Sequence, residues 1–104
     1  MPALVYVTAP SEEEARKMAR ELIEKKLAAC ANIFPISSLY RWKGKLQEER
    51  EVAMILKTSV ERVEEVIREL RRIHPYELPC VLSLPVSKGL PEFLRWVEEE
   101  TRPV

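Results

Sequence analysis

The sequence of 104 residues has no aspartate, a single histidine, two glycines and two cysteines. Two glycines are too few for a glycine-rich loop around a phosphate, and one histidine excludes a His-Glu-x-x-His zinc site. Cys30 and Cys80 do not form a Cys-x-x-Cys pair, which excludes a zinc ribbon and a thioredoxin-type redox motif. Without aspartate there is no Asp-containing catalytic triad, and a Ser-His-Glu triad would lack its Gly-x-Ser-x-Gly elbow.

An excess of charge of either sign is also missing. The chain has 17 basic and 17 acidic residues, so its formal net charge is zero. A neutral chain has no general electrostatic attraction to nucleic acid or to an anionic membrane. The apolar runs are too short to cross a bilayer, and the first residues do not resemble a secretion signal. We therefore expect a cytoplasmic protein with reduced thiols that binds neither nucleic acid nor membranes.

The acidic residues are all glutamates, and Asn32 and Gln47 are the only amides. Three pairs, Glu12 with Arg16, Glu13 with Lys17 and Glu21 with Lys25, have the spacing of favourable ion pairs on a helix. Many charged residues and few amides are typical of proteins that work at high temperature, through surface ion-pair networks. We expect a thermostable protein, and chance in a short chain is the alternative.

Hydrophobic periodicity predicts the element order β-α-β-β-α-β, followed by a short terminal helix. Capping boxes are predicted at Ser11 with Glu14 and at Thr58 with Glu61. The order is that of the ferredoxin-like α+β fold, with both long helices on one face of a four-stranded antiparallel sheet. We predict one domain over residues 1–104. The predicted strands are 3–9, 29–42, 45–57 and 78–86. The predicted helices are 12–27, one that follows the Thr58 capping box and stops near His74, and one from Pro91.

The two middle strands form a hairpin that is long for this chain. A strand of about 13 residues spans roughly 43 Å, whereas a domain of this size has a diameter of about 33 Å. The tip should therefore overhang the domain and expose Leu39, Tyr40, Trp42 and Leu46. Such an apolar patch predicts self-association. The alternative is a hairpin that bends back onto its own sheet.

Candidate binding residues lie at the ends of the predicted elements. The segment His74–Glu77 combines an imidazole, a phenol and a carboxylate, which suit a small ligand or a soft metal. The alternative is that His74 caps the preceding helix and the prolines shape the turn. Cys80 could join His74 in a soft-metal site, or it could simply be buried. Lys57 could hold an anion or be ordinary surface charge.

Several motifs resemble the CutA family of divalent-cation tolerance proteins, and the resemblance covers nearly the whole chain. It implies a ferredoxin-like subunit in a tight homotrimer similar to the PII-type signalling proteins. It also implies a cytoplasmic role in tolerance of copper and other divalent metals, without an enzymatic activity. The matching residues are Thr8-Ala9-Pro10, Cys30-Ala31-Asn32-Ile33, Ser38 to Lys45, Glu51, Lys57-Thr58, His74-Pro75-Tyr76 and Leu84-Pro85-Val86.

The resemblance also implies ligand sites in clefts between subunits. Three positions depart from the family pattern: Val7 replaces a cysteine of some bacterial members, Ile73 replaces a second histidine, and Cys80 replaces the usual glutamate. Two candidate copper ligands are therefore absent. We expect weak, exchangeable copper or zinc and no organic cofactor. The candidate metal ligands are His74 and Cys80, and the candidate ligand-binding residues are Tyr40, Trp42, Glu51, Lys57, Tyr76 and Glu77.

Three functions remain open at this point. The first is a non-catalytic trimer that binds metal ions or a small anionic ligand between subunits. The second is a structural or signalling trimer that binds a partner protein, with incidental metal binding. The third is an enzyme that uses His74 with Glu77 or Lys57, which requires an acid and a base close to one point.

Overall fold

The computed structural model describes residues 1–103, which form four strands and three α-helices. The strands lie in the order β2-β3-β1-β4, and each neighbouring pair is antiparallel. This order confirms the predicted ferredoxin-like α+β fold. The domain prediction extends to residue 104, which lies outside the described residues. The elements are β1 Pro2–Ala9, α1 Glu12–Glu24, β2 Cys30–Trp42, β3 Lys45–Ser59, α2 Val63–Ile73, β4 Val81–Pro85 and α3 Pro91–Glu100, with a 3-10 turn Val60–Arg62 before α2.

The core lies between one face of the sheet and the helices α1 and α2. Side chains alternate along a strand, so the odd-numbered residues of β1 and the even-numbered residues of β3 point towards these helices. The face that packs against the helices therefore supplies the apolar interior of the domain. Its fully buried members include Val5, Val7, Leu22, Met54, Leu56 and Leu70.

Helix α1 follows the N-capping residue Ser11 and is terminated by Lys26, whose backbone is left-handed. The Ser11 hydroxyl accepts a hydrogen bond of 3.1 Å from the Glu14 N–H, which is one of the two bonds of the predicted capping box. The prediction that the helix continues to Leu27 is wrong, because the helix ends at Glu24. Lys26 has a φ of 61°, which reverses the chain and is incompatible with a continuing right-handed helix.

The predicted capping box at Thr58 and Glu61 is also wrong. Thr58 is fully buried at the end of β3, and its hydroxyl donates a hydrogen bond of 2.6 Å to the carbonyl of Leu27. Within residues 1–103, no side chain caps the 3-10 turn or α2. The hydrogen bond of Thr58 therefore links the segment between α1 and β2 to the end of β3.

The hairpin of β2 and β3 extends well beyond the rest of the sheet. Its pairing is continuous from Cys30 opposite Lys57 to Trp42 opposite Lys45. Strand β1 pairs with β3 only over 52–59, and the molecule measures 44 × 26 × 21 Å. The predicted overhang is confirmed, because a hairpin bent back onto its own sheet would not give a long axis of 44 Å.

The second face of the sheet, here called the open face, is covered at one end by α3. Val97 of this helix is buried, and the Thr101 hydroxyl lies 2.6 Å from that of Ser59 on β3. Beyond α3 the open face exposes Phe34 and Leu82. Among the described helices, none combines the length and the apolar character needed to cross a membrane.

Candidate functional site

A cavity of about 970 Å³ lies on the open face, where the hairpin leaves the body of the domain. The first three strands form its floor. One wall is the segment Tyr76–Cys80, between α2 and β4. The prediction that β4 begins at Leu78 is wrong, because the strand begins at Val81. Residues 78–80 therefore lie outside the strand pairing and line the cavity. The floor contains Tyr6, Thr8, Ile36, Ser38, Tyr40, Trp42, Gln47, Glu49 and Glu51.

Glu51 is a buried carboxylate in this floor, with 8% of its surface exposed. One of its oxygens accepts a hydrogen bond from the Tyr76 hydroxyl. Among residues 1–103 the other oxygen has no hydrogen-bond partner. This oxygen is not one of the fully buried polar atoms without a partner, so it still meets solvent on the cavity side. This second oxygen is therefore available to a ligand that brings a positive charge or a hydrogen-bond donor.

The two tyrosines of the cavity that contact carboxylates are held in the protonated form. The Tyr40 hydroxyl donates a hydrogen bond of 2.6 Å to Glu49, and this bond raises the pKa of Tyr40 to about 12. Burial, followed by the hydrogen bond to Glu51, raises the pKa of Tyr76. Both phenols therefore act as hydrogen-bond donors at neutral pH.

His74 positions the wall of the cavity and uses both ring nitrogens to do so. Its Nε2 lies 2.7 Å from the Thr8 carbonyl, and its Nδ1 accepts a hydrogen bond of 3.0 Å from the Tyr76 N–H. Because a carbonyl can only accept, the proton is on Nε2. The ring therefore packs against Tyr76 and β1, while the backbone N–H of His74 caps α2 by donating a hydrogen bond of 2.8 Å to the Leu70 carbonyl. A metal ion would have to displace one of these bonds to bind His74.

Cys80 lines the cavity as a free thiol. Burial raises the pKa of Cys80, and a contact with Thr8 opposes this shift in part. Within the part of the chain that the structure describes, no three histidine, cysteine or acidic side chains converge as a metal site would require.

Comparison with known proteins identifies the chain. The family model of the CutA1 divalent ion tolerance protein matches residues 3–100. The chain belongs to this family. The divalent-cation tolerance protein CutA of Archaeoglobus fulgidus is 50% identical over 99 residues, which cover 95% of this chain and 97% of that protein. Protein CutA of Mus musculus is 45% identical over 95% of this chain, but the match spans only 56% of the mouse protein.

Solved CutA structures share the whole fold. A structure described as the periplasmic divalent cation tolerance protein CutA of Archaeoglobus fulgidus gives a TM-score of 0.95 at 48% identity, covering 98% of this chain and all (100%) of that chain. The divalent cation tolerance protein of Thermus thermophilus gives a TM-score of 0.94 at 39% identity, with coverage of 98% and 100%. The CutA membership inferred from the sequence motifs is confirmed.

The cavity brings together most of the residues that the CutA resemblance singled out. Lys57 is an exception, since it lies opposite Leu4 and lines a second, apolar cavity of about 450 Å³ beside α3. Its ammonium contacts the Asn32 side chain. His74 is the other exception, because it lies behind the wall. The predicted residues that do line the cavity are Tyr40, Trp42, Glu51, Tyr76, Glu77 and Cys80.

The structure separates the side chains of His74 and Lys57, which one form of the enzyme hypothesis required close together. His74 and Lys57 do not converge within the described chain, since Lys57 lines the second cavity and both nitrogens of His74 are hydrogen-bonded. General acid–base catalysis requires the two groups within reach of the same atoms. His74 and Lys57 therefore do not form the acid–base pair that one version of the third hypothesis required.

Sequence reasoning missed several residues of the site, among them Tyr6, Thr8 and Glu49. A usable signal was present, because residues two apart on a strand share a face. Glu49 therefore belongs to the same face as Glu51, and Tyr6 and Thr8 share the open face of β1. The register of β1 against β3, which the sequence does not show, places these residues around one cavity.

Proposed function

We propose that this chain acts in tolerance of divalent metal ions as a cytoplasmic, non-catalytic homotrimer with a ligand site in the open-face cavity. Membership of the CutA family supports the tolerance role. The observation that carries the ligand site is Glu51, which is buried in the cavity floor and has one oxygen without a hydrogen-bond partner among residues 1–103. A buried carboxylate of this kind favours a ligand with a positive charge.

The exposed apolar surface supports assembly. Leu39 and Leu46 at the hairpin tip are 64% and 69% exposed, and Leu82 on the open face is 58% exposed. Other copies of the chain would remove this surface from water. Light scattering should give about 36 kDa for a trimer of a 12.1 kDa chain. Trp42→Ala should loosen the assembly. A monomer mass would contradict the trimer and favour the alternative that this surface binds a partner protein.

Metal binding by this chain is proposed to be weak and exchangeable. A thiolate and an imidazole suit copper or zinc, but Cys80 and His74 supply only two ligands. Glu77, water or a neighbouring subunit would complete the shell. Titration calorimetry with copper and zinc salts should give weaker binding for His74→Ala and Cys80→Ser than for the native chain. Binding should weaken as pH falls, because the Cys80 thiol must lose a proton to coordinate a metal ion.

The control for this experiment is the apo protein. Treatment with a chelator should leave the trimer folded, since the buried core of the subunit consists of apolar side chains. Unchanged metal affinity in both variants would place the metal site elsewhere. Unfolding by the chelator would contradict an exchangeable site.

A further inference from the structure

We draw no further inference here: the strongest candidate, the apolar cavity of about 450 Å³ beside α3 that Lys57 helps to line, lies on the open face that other copies of the chain are proposed to cover, and nothing in the structure shows what occupies it.

Discussion

Replacing Thr58 by valine should lower the free energy of unfolding by about 1–3 kcal/mol. Thr58 is fully buried, and its hydroxyl donates a hydrogen bond of 2.6 Å to the Leu27 carbonyl. Valine has nearly the same shape as threonine but cannot donate. The variant therefore leaves a buried carbonyl without a partner, and the expected loss is the cost of an unsatisfied acceptor rather than that of a cavity.

Thr58→Ser is the matched control, because serine keeps the hydroxyl and loses only a methyl group. Loss of one buried methyl costs about 0.5–1.5 kcal/mol, so valine should be the more damaging replacement. The measurement is guanidinium unfolding followed by circular dichroism. All variants are compared at one protein concentration, since assembly adds to the apparent stability.

Hydrogen exchange locates the effect of Thr58→Val. The connection that Thr58 anchors also contains the Ala28 N–H, which bonds to Leu22, and the Ala29 N–H, which bonds to Lys57. These two amides should exchange faster in Thr58→Val, while the amides at the start of α2 keep their rates. Faster exchange at the start of α2 alone, or a serine variant less stable than the valine variant, would refute the assigned role of Thr58.

Three further predictions concern the backbone, the composition and the site. Lys26→Gly should stabilise the protein by up to about 1 kcal/mol, because glycine adopts the left-handed φ without steric strain. The greater freedom of glycine in the unfolded chain offsets part of this gain. A destabilised variant in the unfolding assay would contradict the prediction. Calorimetry should give a thermal midpoint above about 90 °C, and a midpoint in the usual mesophile range would show that the composition was misleading. The raised pKa values of Tyr40 and Tyr76 mean that their contribution to stability is present below pH 10, the unfolded value, and is lost as pH rises through the folded values. In a spectrophotometric titration, both tyrosines should ionise above the normal tyrosine range. The variant Glu51→Gln should lower the pKa of Tyr76. Ionisation of both tyrosines near pH 10 in the folded protein would contradict the site geometry.

Much of the fold was predictable from the sequence, because burial leaves a periodic pattern and capping is local. The pairs Glu12–Arg16 and Glu21–Lys25 form as their spacing predicts, whereas the predicted pair Glu13–Lys17 is not among the ion pairs of residues 1–103. The structure adds what spacing cannot show, since Lys25 also pairs with Glu69 on the neighbouring helix. The end of α1 was missed because Lys26 adopts a left-handed conformation that a lysine does not signal.

The role of Thr58 was missed for a different reason. A threonine between a strand and a helix, three residues before a glutamate, has the local pattern of a capping box. Its actual partner, the Leu27 carbonyl, is 31 residues away in the chain. Local patterns carry no information about such a partner, which exists only once α1 has packed on the sheet.

The sequence by itself determined the family, the order of the elements and the overhanging hairpin, because motifs, periodicity and strand length are properties of the chain. Only the tertiary structure decided which candidate residues share a site. Glu51 and Lys57 lie on the same face of β3, but six residues of extended chain separate them by roughly 20 Å, so they line different cavities. Tyr76 is 25 residues from Glu51 and still hydrogen-bonds to it, because the segment after α2 returns across the end of the sheet.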